Sequence, residues 1–298
     1  MKQLHEFLKK NNLKPTRYEK SGNVYFIDVE GNTYAIKKKN TYRGDIYGYL
    51  TARNFNYYPE VLTQDEQYEV TPYIENIDYP EEQKIMDLID LVALLHSKTS
   101  FYKEIEVDYF KKMYEDISGN IEHLEEYYND MIDMIEKEIY PSPPSYLLAR
   151  NINLIFSSLY YARESLDTWY ELVQSKHRAR FVVLHNNLKL DHFIKNHNSY
   201  LTSWNQARID IPIFDLYKLY RNHALELDFE LLLHSYEKKY PLLEEERMLL
   251  FVLIIIPPKL EFQESIFSTC NQFTREIDLL YKCSKWINSY GKTKEQNT

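Results

Sequence analysis

Glycine is scarce, with six residues in a chain of 298. A phosphate loop built from backbone N–H groups needs several residues without a Cβ, so a glycine-rich cradle has no segment to occupy here. Cysteine is scarcer still. Cys270 and Cys283 are the only two, and their separation matches no metal-ligand spacing, so reduced structural thiols are the expectation. No apolar run approaches the ~20 residues a bilayer span requires. The longest, 249–256, falls far short, and no membrane partner is expected. Positive charge is also in deficit. Lys and Arg number 36 against 45 Asp and Glu, and the net charge of −9 argues against a generic nucleic-acid binder. Residues 1–12 are mixed polar and amphipathic rather than a secretory leader, which points to a cytoplasmic protein.

What is abundant is tyrosine, at 28 residues. Codon bias toward A and T explains such an excess without function; surface contacts would explain it with one. Hydrophobic residues at 44% and charged residues at 27% describe a globular chain with enough apolar material for one large domain or two modest ones.

Periodicity divides the chain. Residues 24–29 and 33–38 are β-rich around the turn Glu30-Gly31-Asn32, which predicts a hairpin. A second strand pair is expected at 60–62 and 68–72 around a polar turn at 63–67, with a short helix within 42–54. From Glu81 the apolar spacing becomes helical, as in Ile85, Leu88, Ile89, Val92, Leu95 and His96. Helices are expected over about 107–139 and 145–174, separated by the Pro141-Ser142-Pro143-Pro144 cluster. Short strands at 181–184, 193–194 and 200–203 interrupt the helical pattern. After Pro212 the chain reads as helix nearly to its end, with breaks at Tyr240-Pro241 and Pro257-Pro258.

In Tyr34-Ala35-Ile36-Lys37, strand alternation places Ala35 and Lys37 on one face. A lysine so placed suits nucleotide phosphates; a solvated strand-end lysine, followed by Lys38 and Lys39, is the plain alternative. Asp45 is the nearest acid to the place where a helix carboxylate would fix that lysine.

The stretch Val182-Val183-Leu184-His185-Asn186-Asn187-Leu188-Lys189-Leu190-Asp191-His192-Phe193-Ile194 resembles the catalytic loop of the aminoglycoside phosphotransferases. That loop reads His-Gly-Asp, with an Asn five residues later and an apolar strand behind it. His185 matches the histidine. Asn187 stands where the resemblance implies the catalytic aspartate, and His192 where it implies a metal-binding asparagine. A second stretch, Leu201-Thr202-Ser203-Trp204-Asn205-Gln206-Ala207-Arg208-Ile209, is similar to the family's Ile-Asp-Trp-Asp-Asp-Ala segment. Ser203 takes the place of the metal-binding aspartate and Asn205 that of another acid. Trp204, Ala207, Pro212, Asp215 and Leu216 are kept, and Asp215 falls where the family braces its catalytic loop.

The substitutions bear on chemistry directly. An amide carries no basic carboxylate to take a proton, a hydroxyl is a poor exchange for the hard anion that Mg²⁺ prefers, and imidazole suits softer metals. Asp191, one residue from the asparagine position, is the candidate for a displaced acid. The segment Tyr236-Glu237-Lys238-Lys239-Tyr240-Pro241-Leu242-Leu243-Glu244-Glu245-Glu246-Arg247, with the apolar run to Pro257, resembles the spore-coat-associated kinase-like proteins of the CotS and YutH type.

The resemblance implies an α+β, two-lobed, protein-kinase-like fold. It implies a β-rich lobe at 1–75 and a helical lobe at 76–298, with a helical insert at about 107–174 and a degenerate loop at 185–193. The expected function is that of a catalytically impaired kinase-like binding or scaffold protein in endospore coat assembly, deposited on the forespore or spore coat. Its expected partners are other proteins, coat components among them. The alternatives are an active small-molecule phosphotransferase with a non-standard site and a nucleotide-binding regulator. Lys37 is the cofactor-binding residue for ATP in these readings, Asp215 is a structural brace, and Mg²⁺ has no intact ligand set.

Overall fold

The structure is a computed structural model and describes residues 2–22, 24–38 and 46–295. The chain forms two compact units, one of residues 1–99 with 183–209 and the other of residues 100–182 with 210–298.

The first unit opens with α1 (Lys2–Lys10) and a five-stranded antiparallel sheet of β1 (Arg17–Ser21), β2 (Val24–Val29), β3 (Asn32–Lys38), β4 (Thr63–Gln64) and β5 (Tyr68–Pro72), in the order β1-β2-β3-β5-β4. The β2–β3 hairpin forms as its turn predicts, with Glu30 and Gly31 both at positive φ (52° and 84°). Positive φ at both central positions matches the right-handed twist of the strands, and glycine adopts it without steric cost. One apolar face of α1, carrying Leu4, Phe7 and Leu8, covers Ile27, Val29, Ile36, Tyr68 and Val70 of the sheet. Sheet and helix thus bury a common core.

The second predicted strand pair differs from expectation. The strand falls at Thr63–Gln64, inside the expected turn, although Leu62 N still donates to Val70 O (2.9 Å). Asp65 makes the actual turn, its carboxylate accepting from the backbone N–H groups of Gln67 and Tyr68. Helix α2 (Ile46–Ala52) lies within the expected helical region. Asp45 lies outside the described residues, as does Lys39. Helix α3 (Glu81–Thr99) buries Ile85, Leu88, Ile89, Val92, Leu95 and His96 as the spacing predicts. It ends in Thr99, whose hydroxyl accepts from Val183 N at 3.0 Å.

In the second unit β6 (Phe101–Glu104) pairs antiparallel with β7 (Arg178–Leu184), with Phe101 opposite Phe181. Between them run α4 (Tyr109–Ile135) and α5 (Pro143–Val173). Pro143 sits in the first turn of α5 and Ser142 caps it, accepting from Ser145 N at 3.3 Å, so the proline cluster starts a helix, α4 having already ended at Ile135.

Strand β7 returns the chain to the first unit at Val183, where β8 (Phe193–Lys195) and β9 (Ser199–Leu201) form a hairpin. After β10 (Arg208–Asp210) the second unit resumes with α6 (Ile213–His223), α7 (Phe229–Lys239), α8 (Glu244–Ile255) and α9 (Ile266–Glu295). Helix α5 packs against α4, α8 and α9 around Leu148, Ile155, Leu159, Leu166 and Trp169. The breaks at Tyr240-Pro241 and Pro257-Pro258 appear as expected. A further break, at 224–228, ends in an Asp228 cap that accepts from Leu231 N at 3.1 Å. No described helix is long and apolar enough to cross a membrane.

Candidate functional site

The residues singled out in the first unit converge. Lys37 ends β3, and its ammonium donates to the Ser203 hydroxyl at 3.3 Å. The Asn187 side-chain amide donates to the Ser203 carbonyl at 3.5 Å. His192 Nδ1 donates to the Asn187 carbonyl at 2.7 Å. Lys37, Asn187, His192 and Ser203 therefore form one cluster, although 166 positions separate the first from the last.

Two backbone features fix the loop. Asn186 and Ser203 both adopt the left-handed region, at φ 60° and 68°. Asn tolerates that conformation, and the Asn186 amide donates to Gln206 O at 2.9 Å, tying the 185–192 loop to the turn that follows Ser203. Fully buried His185 donates through Nε2 to Thr202 O at 2.8 Å. Its ring also lies edge-on to Trp204, with centroids 4.8 Å apart. His185 and Trp204 thus tie the loop to the segment around Thr202.

Behind Lys37 the structure brings forward a residue the sequence reading passed over. Antiparallel register sets Lys37 opposite Glu69 of β5. Burial disfavours the Lys37 ammonium and pulls its pKa below the ordinary lysine value, and the Glu69 charge offsets part of that. Glu69 accepts a hydrogen bond from the Tyr47 hydroxyl of α2 at 3.3 Å. Burial first, then the Glu69 carboxylate, raises the Tyr47 phenol far above its usual range, so it stays protonated and serves as a donor. Tyr47 stacks at a tilt on Tyr58 (4.9 Å), and Tyr58 meets Trp204 edge-on (6.5 Å). The contacts thus return to the residue after Ser203.

His192 is half-buried. Burial lowers its pKa, the hydrogen bond to Asn187 works the other way, and Lys37 and Lys189 add to the lowering. Asp191 lies exposed on a 3-10 turn, where its charge favours the protonated His192 ring. Asp215 is fully buried in the first turn of α6, in the second unit.

The side chains of Asn187, His192 and Ser203 are an amide, an imidazole and a hydroxyl, with no carboxylate among them. Mg²⁺ takes hard anionic oxygen ligands, and the Ser203 hydroxyl already faces a lysine ammonium, so this set does not fit that ion. Among the described residues, no group of three or more His, Cys, Asp and Glu side chains is placed to hold a metal.

No family model matches the sequence, and no curated protein matches it. Solved structures do match in fold. The aminoglycoside phosphotransferase of Alicyclobacillus acidocaldarius subsp. acidocaldarius DSM 446 superposes with a TM-score of 0.73 at 12% identity, over 95% of this chain and 94% of that one. AMP-bound spectinomycin phosphotransferase gives 0.59 at 12% identity, over 95% and 97% of the two chains. The choline kinase of Streptococcus pneumoniae gives 0.51 at 17% identity, over 97% and 100%. At these identities the likeness is one of fold. The chain has the α+β, two-lobed, protein-kinase-like fold shared by aminoglycoside phosphotransferases and choline kinase.

Proposed function

We propose that the chain is a pseudokinase, a kinase-like protein that acts by binding and does not transfer phosphate. The observation that carries this reading is the neutral cluster of Asn187, His192 and Ser203 around Lys37. A phosphotransferase of this fold needs a carboxylate to accept the substrate proton and anionic oxygens to hold the metal. None of the three side chains supplies either. Asp191, the candidate displaced acid, is exposed on its turn.

A second reading, a nucleotide-holding regulator, is favoured by Lys37 itself. It is half-buried, faces Glu69 across the strands and donates to Ser203. Spectinomycin phosphotransferase, of the same fold, is AMP-bound in its solved structure. We take the setting to be the endospore coat, with other coat proteins as partners, on the likeness of residues 236–257 to the spore-coat-associated group.

The test is transfer of γ-phosphate from ATP to a panel of hydroxyl and amine acceptors in Mg²⁺ or Mn²⁺. The expected result is no transfer above a protein-free control. Robust metal-dependent transfer that disappears in Lys37→Ala would sink the pseudokinase reading. For the setting, the chain should fractionate with the coat of a spore-forming host; recovery in the cytoplasm alone would argue against it.

A further inference from the structure

We propose that the Lys37 cluster receives the phosphate chain of a nucleoside triphosphate without a divalent cation, with Glu69 and Tyr47 as the residues that position the lysine. The proposal rests on the nucleotide-holding reading above.

The first argument concerns what stands behind Lys37. The carboxylate comes from the neighbouring strand, directly opposite in register, and the described helix α2 contributes a tyrosine hydroxyl that holds Glu69 at 3.3 Å. A carboxylate borne on a helix leaves when the helix moves. A cross-strand residue inside a hydrogen-bonded sheet stays, so the Glu69 charge acts on Lys37, itself bonded to Ser203, before a ligand arrives. Glu69 does not saturate the ammonium, because burial still outweighs its attraction. An arriving phosphate oxygen would supply the compensation that a buried charge needs.

The second argument concerns what stands in front. The Ser203 hydroxyl is 3.3 Å from the Lys37 ammonium, and the Asn187 amide is an N–H donor beside it. Ammonium, hydroxyl and amide can each donate to phosphate oxygens. A metal would enter this space against the Lys37 charge, and none of Asn187, His192 and Ser203 offers it a carboxylate. The arrangement selects the bare tetra-anion over its Mg²⁺ complex, whose charge is already half neutralised.

The experiment is calorimetric titration of the full chain with ATP, in EDTA and in excess Mg²⁺. Binding is expected in EDTA and several-fold weaker binding in Mg²⁺. Lys37→Met should lose about tenfold or more in EDTA, the worth of a charge-assisted contact. A melting curve for each variant establishes that it is folded. Tyr47→Phe should weaken ATP a few-fold by freeing Glu69. Ser203→Asp should lose affinity in EDTA and regain it with Mg²⁺, because it restores an anionic ligand. The proposal is overturned if ATP binds only with Mg²⁺, if Lys37→Met binds as well as the parent, or if the folded protein binds ATP in neither buffer. Inorganic tripolyphosphate binding as tightly as ATP would overturn the assignment to a nucleotide. Absence of binding leaves the pseudokinase reading standing, whereas phosphate transfer would end that reading whatever the titration shows.

Discussion

Replacing Arg180 with methionine removes several interactions of one side chain in the second unit. Its guanidinium makes two hydrogen bonds to Glu246, one of them from Nε at 2.9 Å, and a third to Pro241 O at 2.9 Å. It also lies 4.3 Å from the centre of the Tyr240 ring. The side chains of Arg180 and Glu246 are 11% and 6% exposed, so water cannot replace what is lost. Burial opposes the Arg180 charge, but the hydrogen bond and charge of Glu246 outweigh it. Removing one partner of such a pair costs about 3–5 kcal/mol, mostly as the penalty of an uncompensated buried charge. For a chain of this size each kcal/mol moves the melting temperature by about 2–4 °C, so a fall on the order of 10 °C is expected by calorimetry. The double variant Arg180→Met/Glu246→Met should recover most of that loss, because both charges are gone. Recovery stays incomplete by about 1 kcal/mol, since Glu246 also accepts from Leu243 N (2.9 Å) at the start of α8. A single variant melting within about 2 °C of the parent would refute the reasoning. So would a double variant whose loss equals the sum of the two single losses.

The two thiols should report their surroundings. Burial pushes Cys283 up to about 12, so an exchange reagent at pH 8 should modify half-buried Cys270 in the native protein and Cys283 only on unfolding; two equally fast thiols would contradict this. His192 should give a pH signature. Its folded pKa lies below the ordinary 6.5, so its stabilising contribution is complete above that value and is lost as pH falls through the folded value. The parent should therefore lose melting temperature more steeply than His192→Asn on acidification below pH 6.5, and parallel curves would count against the assignment.

The parts of this fold visible in the sequence are those whose signal is local. The β2–β3 hairpin announces itself through Glu30-Gly31-Asn32, and α3 through an unbroken apolar stripe from Ile85 to Leu95. Strand β1 does not, because all five of its residues are exposed and no alternation marks a buried face. Helix α1 is amphipathic, yet only the sheet it covers makes its apolar face part of a core. In the candidate site, the order of the residues around Asn187, His192 and Ser203 is what marks them in the sequence. Glu69 is not so marked, because its meaning depends on a strand register that brings it opposite a lysine 32 positions earlier. Tyr47 was hidden by the same logic, one more tyrosine in a chain of 28. The acids at the head of α8 suit a helix N-terminus, but Glu245 and Glu246 also pair with Lys176 and Arg180, which no local pattern discloses.

The path from Lys37 through Glu69, Tyr47, Tyr58 and Trp204 comes back to Lys37 by way of Ser203. A lever pinned at one end can swing; a hoop cannot, because every link is braced from both sides. A closed ring of contacts ties the lysine of β3 to the turn at Ser203 from two sides, one through a hydrogen bond and the other through stacked aromatic rings.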